Sequence, residues 1–116
     1  MPLSSDAVLL RIFIGEDDKT GSRPLYEAVV LKAREMGLAG ATVLRGPMGF
    51  GHSSALHTAK ILRLSQDLPL VIEIVDSEEK IGRFVAAIEP IIGSGLVTTE
   101  KVNVMRYGEG GPCDSG

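Results

Sequence analysis

Residues 70–92, which read LVIEIVDSEEKIGRFVAAIEPII, place a strand directly before a helix and decide how the chain folds. Leu70–Val75 is rich in β-branched residues and is followed by polar residues, which is typical of a buried strand. Asp76 and Glu79 have the spacing of a capping box, which predicts a helix start. Apolar residues then recur at helical spacing and form one stripe, made of Ile81, Phe84, Val85, Ile88 and Ile92. Pro90 is expected to bend or end this helix near its last turn.

The same order of strand and helix occurs in the first part of the chain. Ala7–Ile14 (AVLLRIFI) predicts a strand bounded by a polar turn. Ser22 and Pro24 form a favourable helix start, and Gly37 supplies a C-cap. The apolar residues between them, at helical spacing, are Tyr26, Val29, Val30, Ala33 and Met36. The two remaining predicted strands are Leu38–Arg45 and Val97–Tyr107.

This order, β-α-β, a long connection over residues 46–68 and again β-α-β, predicts the fold class. A helix that connects two strands of one sheet requires these strands to be parallel. Two such units in about 100 residues predict an α+β, ferredoxin-like βαββαβ fold, in which two helices cover one face of a four-stranded antiparallel sheet. We expect the 116 residues to form a single domain, residues 1–116, with an ordered core at residues 7–107 and a flexible tail at residues 108–116.

The strands at residues 7–14 and 70–75 are apolar on nearly both faces, and Arg11 and Glu73 are the main exceptions. Because helices are expected on one side only, the other side of the sheet should alternate toward polar residues. An exposed apolar sheet face of this size normally marks an interface. We therefore expect a homo-oligomer whose subunits bury their open sheet faces together.

Composition and charge exclude several classes of protein. Twelve Lys and Arg against 15 Asp and Glu give a formal net charge of −3, so we expect no general attraction to nucleic acid. The single cysteine, Cys113, cannot form an intramolecular disulfide. We find neither an apolar run long enough to span a membrane nor the pattern of a secretory signal, and we expect a cytoplasmic protein without membrane insertion.

The glycine-rich stretch RGPMGFGHSS at residues 45–54 invites comparison with phosphate-binding loops. It lacks the Lys of a Walker A loop and the third Gly of a dinucleotide fingerprint, so neither specific motif is present. Successive backbone N–H groups could still form an anion-binding nest, and Arg45 could add a bidentate phosphate contact. A flexible connector explains the same glycines.

Lys101 and Arg106, with Gly93 and Gly95 before the last strand, form a second candidate anion site. Ordinary charge at a strand edge is the alternative. His52 and His57 are five residues apart, which is not the helical spacing of a metal pair, so no metal site is expected. No arrangement of residues indicates catalysis, and we expect no catalytic residue and no enzyme.

Three stretches of the chain resemble the PII-like family that is catalogued as a domain of unknown function. They are LLRIFIGEDD, PLYEAVVLKAREMGLAGATVLRGPMGFG and HTAKILRLSQDLPLVIEIVDSEEKI, and the resemblance covers residues 7–107. It implies a ferredoxin-like subunit, similar to PII signal-transduction proteins and to divalent-cation tolerance proteins. Those proteins assemble as trimers with their sheets lining the centre, so the resemblance also implies a homotrimer.

In PII proteins, the connection between the second and third strands is the partner-docking T-loop, and adenine nucleotides bind in clefts between subunits. By position, the T-loop equivalent begins at Arg45 and Gly46 and runs to about Leu68, and residues 93–95 correspond to the phosphate-binding turn after the second helix. That turn is shorter here and carries no Lys, and the connection lacks the tyrosine that is modified in some PII proteins.

The leading hypothesis is a non-enzymatic, trimeric regulator. A small anionic ligand, most plausibly an adenine nucleotide, would bind between subunits and order the 46–68 connection, which would control a partner such as a membrane transporter. The residues expected to bind the ligand are Arg45, Gly46, Gly49, Gly51, His52, Gly93, Gly95, Lys101 and Arg106. Two alternatives stay open: a divalent-metal-handling protein that uses His52 and His57, and an oligomeric scaffold without a ligand.

Overall fold

The computed structural model describes residues 6–47 and 68–108. The elements in these two ranges are, in chain order, β1 (Asp6–Gly15), β2 (Lys19–Thr20), β3 (Arg23–Pro24), α1 (Leu25–Glu35), β4 (Thr42–Arg45), β5 (Pro69–Asp76), α2 (Glu78–Ile92) and β6 (Leu96–Asn103). Most of the predicted 46–68 connection and of the predicted tail lies outside the described residues. The segment between β1 and α1 contains the short hairpin of β2 and β3.

The main sheet is antiparallel throughout and has the strand order β4-β5-β1-β6. Because β1 and β4 are both antiparallel to β5, they run parallel to each other, as the connection through α1 requires. The same holds for β5 and β6, which flank β1 and are joined through α2. This is the split βαβ arrangement of the ferredoxin-like fold, so the predicted fold class is confirmed.

Both helices pack on one face of the sheet, where every second residue of the central strands is buried. In β5, Leu70, Ile72 and Ile74 are buried, and the residues between them are partly exposed. The largest fully buried side chains are Phe84, Leu10, Ile12, Ile72, Ile74, Ile88 and Val29. Because side chains alternate along a strand, the strand residues that lie between the buried ones point to the other face of the sheet, which the helices leave open.

The start of α2 differs by one residue from the predicted capping box. Ser77 is the N-cap, and its side chain accepts a hydrogen bond from the Lys80 backbone N–H at 3.2 Å. Asp76 is instead a buried side chain at the end of β5, and it accepts hydrogen bonds from the backbone N–H groups of Ser77 (2.7 Å) and Ala39 (2.8 Å). The carboxylate therefore joins the start of α2 to the segment that leads into β4.

Two predicted strands are longer than the observed ones. The second strand begins at Thr42 instead of Leu38, since residues 38–41 leave the turn at Gly37 (φ 76°) and make no sheet pairing. The fourth strand ends at Asn103, which pairs with Asp6, instead of at Tyr107. Pro90 lies inside α2, which continues to Ile92.

We expect Asp76→Ala to lower the free energy of unfolding by about 1–3 kcal/mol, because two partly buried backbone N–H groups lose their acceptor. Urea unfolding, followed by circular dichroism at one protein concentration, measures this change. Glu79→Ala is the control, since this exposed side chain makes only a long ion pair and its loss should change stability by less than about 0.5 kcal/mol. Equal losses in the two variants would contradict the role given to Asp76.

Candidate functional site

An open cavity of about 590 Å³ lies on the sheet face that the helices leave uncovered. One wall is the segment 39–42, which leads into β4, and the other is the segment 102–107, which ends β6 and follows it. The floor is formed by Leu9, Glu73 and Val75 from the two central strands. The cavity thus sits at the end of the sheet where β1 begins and where β5 and β6 end.

The floor is apolar at its centre and polar toward β4. Leu9 and Val75 face each other across β1 and β5, and Val102 extends this apolar surface to β6. Thr42 and Glu73 are paired across β4 and β5, so a hydroxyl and a carboxylate stand side by side at the polar edge. Such a cavity offers a flat apolar surface with a few hydrogen-bonding groups at its margin, as small-molecule sites do.

The segment after β6 is attached to the opposite wall. The Tyr107 hydroxyl donates a hydrogen bond to the Ala39 carbonyl oxygen at 3.2 Å. The segment 39–41 is itself held from behind, because the Ala39 N–H donates to Asp76 and the Lys80 ammonium donates to the Gly37 carbonyl oxygen at 2.9 Å. The two walls therefore form one connected frame around the cavity.

Arg11 holds Glu73 in place. Its Nε donates to Glu73 Oε2 at 2.9 Å, and its Nη1 donates to Glu100 Oε1 at 2.9 Å. The hydrogen bond to Glu73, followed by the one to Glu100, raises the pKa of Arg11 above its ordinary value. Because ion pairs of this kind contribute little to stability, the main effect of this cluster is on the position of the Glu73 carboxylate.

A second group of predicted site residues lies at the far end of the sheet. Arg45 Nη2 contacts Glu16 Oε2 at 2.5 Å, and the Gly46 N–H donates to the Pro69 carbonyl oxygen at 2.8 Å. Gly93 has a φ of 61° and ends α2. A Cβ at Gly95 would lie 2.9 Å from Ile14 Cγ2, so this glycine lets the chain pass close to β1.

The described residues thus place the predicted ligand contacts in three locations. Arg106 lines the cavity, beyond the end of β6 rather than on the strand. Lys101 pairs with buried Val8 and so lies on the helix side of β6. Arg45, Gly46, Gly93 and Gly95 lie toward the other end of the sheet. Arg45 is three residues, or about 10 Å, along β4 from the cavity residue Thr42, and it pairs with buried Leu70 and so lies on the helix side. Gly49, Gly51 and His52 lie outside the described residues.

Sequence reasoning did not select the residues that form the cavity floor and frame. Glu73 and Arg11 could have been selected from the sequence, because each is a charged residue within an otherwise apolar strand. Thr42 and Tyr107 carried none, since their positions depend on strand pairing and on the path of the chain after β6. Over residues 6–47 and 68–108, no group of three or more potential metal ligands is found, and no helix there could span a membrane.

We expect Tyr107→Phe to loosen the segment after β6, because it removes the hydroxyl that binds Ala39. Hydrogen exchange of the backbone amides at residues 104–108, read by mass spectrometry, should be several times faster than in the unmodified protein. Tyr26→Phe on α1 is the control, because Tyr26 packs against the core. Unchanged exchange in Tyr107→Phe would show that this hydrogen bond does not hold the wall.

Comparisons with known proteins agree with this fold. The model of the family DUF190, described as an uncharacterized ACR, matches residues 7–104. A UPF0166 protein of Aquifex aeolicus is 43% identical over 99 residues, which cover 84% of this chain and 91% of the relative. A UPF0166 protein of Methanocaldococcus jannaschii is 33% identical over 101 residues, which cover 86% of this chain and 93% of the relative.

Among solved structures, CPII of Thiomonas intermedia K12 bound to ADP, AMP and acetate is similar with a TM-score of 0.64 and 20% identity. The match covers 91% of this chain and 94% of that one. At this level of identity the likeness shows a shared PII-like fold. The family model and the UPF0166 relatives go further, and we conclude that the chain belongs to the DUF190 family.

Proposed function

We propose that this chain is a PII-like signalling protein that binds an adenine nucleotide, with the nucleoside part in the open-face cavity. The observation that carries the proposal is the cavity itself, with its apolar floor, its polar margin and Arg106 in one wall. The similar CPII structure was determined with ADP and AMP bound, which supports the choice of ligand. The proposed role is regulatory, and it assigns no catalytic step to any residue.

The cavity suits a nucleoside in size and chemistry. Its volume of about 590 Å³ falls within the usual range for small-molecule sites. Leu9 and Val75 offer a flat apolar surface on which a base could lie. Thr42 and Glu73 offer a hydroxyl and a hydrogen-bond acceptor to the amino and hydroxyl groups of a nucleoside.

The residues proposed to bind the phosphates do not lie together in one subunit. Arg106 is beside the cavity, whereas Arg45, Gly46, Gly93 and Gly95 are at the opposite end of the sheet. In a homotrimer, the far end of one subunit could complete the cavity of its neighbour. Under this proposal Gly49, Gly51, His52 and Lys101 remain expected ligand contacts, and the 46–68 connection remains the element that docks a target protein, such as a membrane transporter.

The open sheet face carries an apolar row that favours such an assembly. Leu44, Val71, Phe13 and Leu96 are neighbours in register across all four strands of the sheet. Leu44 is 48% exposed, Phe13 is 37% exposed and Leu96 is 58% exposed. Because contiguous exposed apolar rows are uncommon on monomers, we propose that this row is buried between subunits.

We expect Phe13→Glu to dissociate the oligomer, because it places a charge in the middle of the apolar row. Multi-angle light scattering during size-exclusion chromatography should report a trimer for the unmodified protein and a lower mass for the variant. Leu31→Glu is the matched control, because Leu31 is 44% exposed on α1, which packs on the other face of the sheet. A trimeric Phe13→Glu variant would contradict an interface on the open face.

We expect Gly40→Val to weaken ADP binding at least tenfold, because it places a branched side chain in the cavity wall. Gly40 lines the cavity, and a Cβ at this position would meet no protein atom within 4 Å. Gly82→Ala on α2, where a Cβ also meets no atom, is the control. Isothermal titration with ADP measures the affinity, and undiminished binding by Gly40→Val would place the ligand elsewhere.

Arg106→Ala separates the phosphate contact from the nucleoside contact in the same titration. We expect a loss of about tenfold or more for ADP, since a charge-assisted hydrogen bond is removed, and no loss for adenosine. Equal losses for both ligands would assign Arg106 to the nucleoside part or to the cavity frame.

A further inference from the structure

We propose that Glu16 competes with the anionic group of the ligand for Arg45, because the Glu16 carboxylate already forms an ion pair with the Arg45 guanidinium. The inference rests on the proposed function, in which Arg45 contacts a ligand phosphate. It assigns to Glu16 a role in setting the affinity for the ligand.

Glu16, which follows β1, forms an ion pair with Arg45 at the end of β4. Arg45 Nη2 and Glu16 Oε2 are 2.5 Å apart, which is an ion pair with a hydrogen bond. The Glu16 side chain is only 21% exposed, and its backbone N–H donates to the Leu68 carbonyl oxygen at 2.8 Å. The Arg45 side chain is 60% exposed, so the pair joins a fixed carboxylate to an accessible guanidinium.

An incoming phosphate must therefore either displace Glu16 from Arg45 or bind beside its negative charge. Both routes lower the affinity for an anion and leave the affinity for a neutral ligand unaffected. Displacement is feasible because exposed ion pairs are weak, whereas a phosphate can bind an arginine through two parallel hydrogen bonds.

The replacement of Glu16 by a phosphate at Arg45 would take place at the base of the 46–68 connection. The Gly46 N–H donates to Pro69 and the Glu16 N–H donates to Leu68, so the ion pair lies where this connection leaves and rejoins the sheet. A phosphate on Arg45 adds negative charge beside Glu16 at this point. Ligand binding thus changes the electrostatics at the base of the connection without any change in the fold of the sheet.

The test is a double-mutant cycle with Glu16→Gln, Arg45→Ala and the combined variant, titrated with ADP and with adenosine. Glu16→Gln keeps the shape of the side chain and removes its charge. We expect it to raise the affinity for ADP about two- to fivefold, the range set by an exposed ion pair. The affinity for adenosine should not change, and the effect on ADP should vanish in the Arg45→Ala background.

Glu79→Gln is the matched control, because Glu79 also forms an exposed ion pair with an arginine, Arg83, but on α2. The inference is overturned if Glu16→Gln binds ADP no better than Glu79→Gln does, or if its gain persists in the Arg45→Ala background. Thermal unfolding of each variant without ligand confirms that the fold is intact. If the unmodified protein binds no ADP, the proposed function fails and this inference fails with it; ADP binding without a gain in Glu16→Gln removes the inference alone.

Discussion

The central position of β1 between β5 and β6 is the constraint on which the rest of the structure depends. Because β1 pairs on both sides and two helices cover one face of the sheet, its side chains from Val8 to Ile14 alternate between two environments. Leu10, Ile12 and Ile14 enter the core. Leu9, Arg11 and Phe13 point to the open face. Each of them belongs to a different row of side chains that runs across the sheet.

These rows separate two kinds of surface on the open face. Leu9 belongs to the floor of the cavity, and Phe13 belongs to the apolar row at the other end. Arg11 lies between them, where its two ion pairs neutralise carboxylates from both neighbouring strands. An apolar interface and a polar ligand cavity can therefore share one sheet face, because a layer of paired charges divides them.

The sequence was sufficient for the fold because alternation and helical spacing are local signals, and both are strong in β1, β5 and α2. It was insufficient where a feature depends on pairing or on the path of the chain. Asp76 accepts a hydrogen bond from Ala39 across the fold, and Ser77 rather than Asp76 caps α2. For the same reason Thr42 and Tyr107 escaped notice, whereas Arg106, chosen for its charge, does line the cavity.

Arg106 and Arg45, the two arginines of the proposed site, differ in whether a carboxylate already neutralises them. Over the described residues, no carboxylate lies within ion-pair distance of Arg106, whereas Glu16 occupies Arg45. On a protein with a net charge of −3, the initial attraction for a phosphate should therefore come from Arg106. Arg45 attracts the phosphate only after Glu16 has been displaced, or else it binds the phosphate beside the Glu16 carboxylate. Under the trimer proposal, the two arginines at each site belong to different subunits. Part of the free energy of ligand binding then serves to separate Arg45 from Glu16, and this change occurs at the base of the neighbouring subunit's 46–68 connection.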